Sequence, residues 1–157
     1  MHANNGKLRG FKGSLYEGGI RTPFIVSWPA KFKGGRTINK PVISLDILPT
    51  VIDATNTARL AKQKFDGKSL LPLLNENSTN HHPLLFWNSG EEKSEWAVRE
   101  GKWKAHSLRG KLQLFNLIKD PSEKNNIVNK EPALAKRLAE LHSNWHTKMR
   151  QSEVKLT

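Results

Sequence analysis

The chain has 157 residues, a length that is enough for one domain or one domain plus an appendage. Of these residues, 36% are hydrophobic and 25% are charged. It contains no cysteine, which excludes a disulfide scaffold, a zinc–thiolate site and a cysteine nucleophile, and no run approaches the roughly 20 apolar residues that cross a bilayer. The formal charge is +12, and residues 1–40 contain eight bases and one acid. Such a field attracts polyanions such as sulfated glycans, nucleic acid or anionic lipid, and the alternative is a solvated basic face.

The first half of the chain predicts a loop, a strand and a helix. Residues 1–19 are basic and rich in glycine, which favours a loop, and they contain no apolar stretch typical of a secretory signal. The apolar run FIVSW at 24–28 lies between two prolines and predicts a strand buried on both faces. A helix is expected over 45–55, with Asp46 as N-cap and an apolar stripe at helical spacing.

The second half predicts a small antiparallel sheet and a long helix. A short helical segment is expected over 69–74. Four strands follow, joined by turns such as those at 100–101 and 109–110; their predicted ranges are 84–87, 96–99, 103–106 and 112–116. The last element is a helix over 132–149, with apolar residues spaced three and four apart that would pack on the sheet.

The predicted strand at 24–28 does not fit a self-contained chain. A doubly buried strand needs neighbours on both edges, and the sequence contains no alternating strand–helix series to supply them. The sequence therefore resembles the C-terminal part of a larger protein, with a possible domain boundary near residues 75–82.

Seven segments of the chain, taken together and in order, form a recognisable pattern. They are LRGFKGSLYEGGIRTPF (8–24), SWPA (27–30), SLDILPT (44–50), DGKSLLPLL (66–74), AVREGKWK (97–104), LFNL (114–117) and DPSEKNN (120–126). This pattern resembles the formylglycine-dependent sulfatases of the alkaline-phosphatase-like superfamily, and the resemblance covers residues 4–146, almost the whole chain.

The resemblance implies an α/β fold, of which this chain is the C-terminal fragment. Residues 1–74 would be the last portion of the large domain. Residues 83–150 would form a small α+β subdomain of about four antiparallel strands on a long C-terminal helix. The implied activity is that of an arylsulfatase-type sulfuric ester hydrolase, in which a hydrated aldehyde attacks sulfur. The parent family is usually exported, to the periplasm, the outside or the lysosome.

The implied cofactors of the parent family are calcium and formylglycine, and neither is expected in this chain. The C/S-x-P-S/A-R motif that gives formylglycine does not occur here, and the family's calcium-binding aspartates are absent. We therefore assign no metal ligand to the chain and expect it to be inactive in isolation, because one lysine does not replace a nucleophile and a metal cage.

The resemblance implies one catalytic contact, made by Lys12 to the sulfate of the substrate. A flexible ammonium between Gly10 and Gly13 suits a compact anion. His2 is a weaker candidate for substrate binding. Glu17 and Arg21 are expected to fix the loop through charge-assisted hydrogen bonds, with contact to the substrate as the alternative for Arg21.

The remaining histidines have structural interpretations. His142 and His146 are spaced i, i+4 but lack a third ligand nearby, and His81 and His82 resemble a structural position of the family. The partner expected in the full enzyme is a sulfated small molecule or glycan, with no nucleic acid and no membrane. Two alternatives stay open: a non-enzymatic module that binds sulfated glycans or other polyanions, and a chain that docks to a separate N-terminal sulfatase piece.

Overall fold

The structure is a computed structural model that describes residues 4–58, 64–75, 81–89 and 95–153. These residues form two compact units: one combines the described residues up to Pro23 with those from Leu84 onward, and the other spans Phe24–Pro83. The expected domains of a whole sulfatase, 1–74 and 83–150, stay a prediction. Among the described residues, no helix is long and apolar enough to cross a membrane.

The first unit is built on a four-stranded antiparallel sheet with the order β1-β2-β3-β4. The strands are β1 (Leu84–Asn88), β2 (Trp96–Glu100), β3 (Trp103–Leu108) and β4 (Lys111–Asn116). Arg109 and Gly110 both have positive φ, as a two-residue turn between twisted strands requires. The predicted α+β arrangement of four strands and a C-terminal helix is confirmed.

One face of the sheet packs on the C-terminal helix α4 (Pro132–Glu153). Val98, Ala105 and Leu114 lie side by side across β2, β3 and β4 and form one core with Ala135 and Leu138. Burial of such apolar surface is the main force that holds the helix on the sheet.

The other face of the sheet is covered by the N-terminal segment, residues 4–21, which includes the short helix α1 (Glu17–Ile20). Tyr16 packs on Phe115 and places its ring edge against His106, with ring centroids 4.3 Å apart. Its hydroxyl donates to Gln113 Oε1 at 2.9 Å. The strands of the small sheet are thus covered on both faces within this unit.

The second unit contains a 3-10 turn (Ser44–Asp46), α2 (Ile47–Ala54) and α3 (Leu71–Leu74). These match the helices predicted over 45–55 and 69–74. The predicted strand at 24–28 is wrong for this chain: these residues form no strand in the described structure, and Ile25 is 88% exposed. The physical reason is that no neighbouring strand of the described residues offers backbone partners to this segment.

The aromatic cluster between α4 and the sheet contains a buried histidine, His142. Its ring stacks on Trp96, with centroids 4.4 Å apart, and its side chain lies among Phe86 and Trp145. Burial lowers the pKa of His142 to about 4, and a hydrogen bond to the backbone of Trp87 offsets only part of this effect.

This burial predicts a pH-dependent stability. Between pH 6.5 and 4 the folded chain keeps His142 neutral whereas the unfolded chain protonates it, so the free energy of unfolding falls as the pH falls. The contribution of His142 is about 3 kcal/mol over this range. We expect His142→Phe to remove that contribution, measured by urea unfolding at a series of pH values. His146→Gln removes only the minor Coulombic effect of His146 on His142 and should keep most of the wild-type slope. An unchanged slope in His142→Phe would contradict the prediction.

Candidate functional site

Lys12 lies in a tight loop of the N-terminal segment. Its neighbours Gly10 and Gly13 have φ of 84° and 97°, a conformation that L side chains rarely adopt. A Cβ at Gly10 would collide with Ser14 Oγ and approach Tyr16 Cβ to 3.0 Å, so a side chain there would strain the loop and displace Ser14. Lys12 is exposed, and within the described part of the chain it has no ion-pair partner.

The base of this loop is held by the side chain of Asn5. Its amide nitrogen donates to Gly10 O at 2.9 Å and to Gly18 O at 2.8 Å. The Gly18 N–H donates to Arg9 O at 2.7 Å, so the two ends of the loop are joined. These bonds fix the backbone that carries Lys12.

A buried cluster of charges, Glu17, Lys104 and Glu123, attaches the segment to the sheet. Lys104 Nζ on β3 lies 3.0 Å from Glu17 Oε1 and 2.9 Å from Glu123 Oε1, and Lys104 and Glu123 are fully buried. The Glu17 backbone N–H donates to Glu123 Oε2 at 2.5 Å, and Arg9 Nη1 donates to the Glu123 carbonyl at 2.9 Å. The expectation that Glu17 fixes the loop is confirmed.

The electrostatics of the cluster follow from its burial. Burial raises the pKa of Glu123, and the attraction of Lys104 reduces but does not cancel this effect. The two carboxylates share the Lys104 ammonium, and Arg99 Nη1 lies 3.9 Å from Glu17 Oε2. The neutral form of one acid lowers the mutual repulsion of the two carboxylates.

A second buried contact lies beside the cluster, between β3 and the N-terminal segment. Glu95 Oε1 accepts the Leu15 N–H at 2.9 Å and lies 2.7 Å from His106 Nε2. Burial lowers the pKa of His106. Sequence reasoning missed Lys104, Glu123 and His106, since lysine and glutamate are seldom buried. One signal in the sequence could have indicated that Lys104 and His106 lie together, because residues two apart in a strand point to the same face of the sheet.

The other predicted substrate contact, His2, lies outside the described residues. Arg21 follows α1 directly and is exposed. The rings of His142 and His146 are 6.1 Å apart in the aromatic cluster on α4.

A different cluster, missed by the sequence analysis, lies in the second unit. Asp46 precedes α2, but its carboxylate makes no N-cap bond to that helix. It accepts backbone N–H groups of Ile43 at 3.0 Å and Lys68 at 2.8 Å, and it contacts the Nε2 atoms of His81 and His82. Burial would raise the pKa of Asp46, but these hydrogen bonds hold it below its usual value. The residues are about 35 positions apart, so no local spacing in the sequence indicates the cluster.

The buried lysine gives a direct test of the first cluster. Lys104→Met leaves two buried carboxylates without the ammonium that they share, with Arg99 near Glu17 as the remaining cation. We expect a loss of about 3–5 kcal/mol in the free energy of unfolding. Adding Glu123→Gln to that variant should recover part of the loss, because one uncompensated charge is removed. Lys111→Met changes an exposed lysine of the neighbouring strand and should stay within about 0.5 kcal/mol of wild type in chemical denaturation. If Lys104→Met and Lys111→Met lowered the free energy of unfolding equally, the structural role of Lys104 would be refuted.

Comparison with known proteins shows which family this chain resembles. The family model described as "N-sulphoglucosamine sulphohydrolase, C-terminal" matches residues 10–154. Arylsulfatase A of Bos taurus is 35% identical over 151 residues, which cover 80% of this chain and 29% of the relative.

Solved structures give the same result. That of Ps i-CgsB aligns with a TM-score of 0.80 and 29% identity, covering 88% of this chain and 31% of the other. A structure from a study of glycosaminoglycan metabolism by Bacteroides thetaiotaomicron aligns with a TM-score of 0.74 and 26% identity, covering 90% and 32%. The chain spans less than a third of the length of each of these proteins. The chain therefore belongs to the sulfatase family and corresponds to its C-terminal part.

Proposed function

We propose that this chain is the C-terminal part of an enzyme that hydrolyses sulfate esters, and that Lys12 contacts the sulfate group of the substrate. The observation that carries the proposal is the loop of Lys12, an exposed cation whose backbone is anchored through a buried ion cluster. Membership of the sulfatase family supports the reaction class.

The chemistry of Lys12 follows from its charge and its position. An ammonium on a flexible stem can approach the oxygens of a compact anion and offset the charge that develops on the leaving oxygen. Such stabilisation is effective only if the charge is already in place, since reorganisation during the reaction would cost free energy. The bonds from Asn5 and the ion pair of Glu17 with Lys104 hold the loop in place.

The residues near Lys12 do not fit the calcium ion and the formylglycine of the parent family. Calcium requires six to eight oxygen ligands, mostly carboxylates and carbonyls. In residues 4–21 the one carboxylate is Glu17, which is buried against Lys104. No step is therefore assigned to either group within this chain, and we expect the chain to be inactive in isolation.

A sulfated glycan is the substrate class that we propose, with a sulfated small molecule as the alternative. Ps i-CgsB, at 29% identity, was crystallised in complex with k-i-k-neocarrahexaose. The basic N-terminal region of this chain suits a polyanionic substrate. Export to the periplasm, the outside or the lysosome is part of the same proposal.

The test begins with the coding sequence upstream of Met1, in which we expect a C/S-x-P-S/A-R motif in frame or one frameshift away. In the enzyme read through from that motif, Lys12→Ala should lower kcat/KM for a sulfate ester by about 100-fold or more, because one positioned electrostatic contact is lost. Lys7→Ala changes another exposed lysine of the segment and should keep kcat/KM within about threefold.

The isolated chain serves as the negative control in that assay. Upstream DNA without such a motif, turnover by the isolated chain above host background, or equal effects of the two lysine variants would each overturn the proposal.

We also propose a docking role, in which the upstream part of the sulfatase packs on the apolar side chains of residues 24–51. Large hydrophobic residues are exposed throughout this range: Phe24, Ile25, Val26, Ile38, Leu45, Ile47, Leu48 and Val51. Leu48 and Val51 on α2 are 54% and 51% exposed. They belong to an apolar stripe of the kind that normally packs against another part of a protein, so their exposure favours a partner. A partner that supplies strands would also offer backbone hydrogen bonds to residues 24–27, which pair with no strand among the described residues.

The docking role predicts which substitutions disrupt assembly. When the upstream segment is produced as a separate chain together with this one, we expect the two to co-purify. Val51→Lys should abolish that association, because a charge would be buried in an apolar contact. Ile118→Lys changes a residue that is 77% exposed in the other unit and should have no effect on the yield of complex. Loss of association in both variants, or in neither, would contradict the proposal.

A further inference from the structure

Three side chains that can bind a metal ion converge in the second unit. Asp46 is completely buried, and His81 and His82 are 5% and 8% exposed. His82 Nε2 lies 2.8 Å from Asp46 Oδ1 and 3.0 Å from Oδ2, and His81 Nε2 lies 3.1 Å from Oδ2. One ligand atom from each residue lies within 4.8 Å of the other two. We propose that these three residues form a binding site for a first-row transition-metal ion, with Zn²⁺ as the best match.

The donor set selects the class of ion. Two imidazole nitrogens and one carboxylate oxygen suit Zn²⁺ and its neighbours, whereas Ca²⁺ and Mg²⁺ require oxygen ligands. Ligand atoms around a tetrahedral ion with bonds of about 2.0–2.2 Å are roughly 3.3–3.6 Å apart. The contacts of 2.8–3.1 Å therefore need to widen by about half an ångström to admit the ion. Three protein ligands leave a fourth position for water.

The surroundings orient these ligands in advance. Backbone N–H groups of Ile43 and Lys68 hold the two oxygens of the Asp46 carboxylate, and such partners fix the direction of a ligand. The rings of His81 and His82 are 80° apart in plane, with centroids 4.5 Å apart, so adjacent residues aim their Nε2 atoms at one point without stacking.

One nearby charge opposes the ion. Lys68 Nζ donates to the His81 carbonyl at 2.8 Å, and its positive charge weakens the binding of a second cation. The desolvated carboxylate of Asp46 acts in the opposite direction. We therefore expect micromolar rather than picomolar affinity.

The same contacts in the absence of an ion are hydrogen bonds, in which each imidazole donates an Nε2–H to Asp46. The two states differ in a measurable way, because a glutamine amide can replace such a donor but is a poor ligand for Zn²⁺. The site is independent of the sulfate-contacting role of Lys12. It also differs from the calcium site implied by the family resemblance, whose ligands are absent from this sequence.

The experiment uses the whole 157-residue chain, treated with a chelator and then titrated with Zn²⁺. We expect one ion per chain by elemental analysis after gel filtration, a raised melting temperature, and the visible absorption of a four-coordinate complex with Co²⁺. His82→Gln should weaken Zn²⁺ binding at least about tenfold. His146→Gln is the matched control, a half-buried histidine in the other unit, and should bind as wild type does.

The outcomes are decisive in either direction. No stoichiometric Zn²⁺ in the wild type, or equal loss in both variants, overturns the proposal and leaves a hydrogen-bonded cluster. If His82→Gln fails to fold by circular dichroism, His81→Gln replaces it, and the Co²⁺ spectrum of the wild type decides without any variant. Sulfatase activity is not read in this experiment, so its failure leaves the proposed function untouched.

Discussion

The attachment of the N-terminal segment to the sheet depends on a buried ammonium, that of Lys104. It faces two carboxylates, one from the N-terminal segment and one from the loop after β4. Removing water from three charges is costly, and the arrangement is tolerated because each group has a charged partner and Glu123 Oε2 also accepts the Glu17 backbone N–H. The ion cluster thus determines where residues 4–21 lie on the sheet.

The two faces of the small sheet are held by different physical forces. On one face, the apolar side chains of Val98, Ala105 and Leu114 pack on α4, and this contact is non-directional. On the other face, Lys104 and His106 bind partners through hydrogen bonds of defined geometry. Because the polar face is directional, it specifies the position of the segment that carries Lys12.

The elements that the sequence predicts correctly are those encoded by local patterns. The four strands and the long helix have clear periodicity, and the Arg109–Gly110 turn has a glycine at one of its two positions of positive φ. The apolar run at 24–28 has the pattern of a buried strand but lacks neighbouring strands within the described chain. The prediction of a strand failed there because a strand also needs backbone partners, which a local pattern does not reveal. Lys104 was missed because a buried lysine is rare, and Asp46 because its histidines are distant in sequence.

The contact between Glu17 and Glu123 joins residues that are 106 positions apart. Such a contact closes a very long loop, and the chain entropy it costs has to be offset by contacts that form together with it. During synthesis, residue 17 leaves the ribosome long before residue 123 exists. The segment around Lys12 therefore acquires its native position only after β3, β4 and Glu123 have been synthesised, because these parts of the chain supply the partners of Glu17.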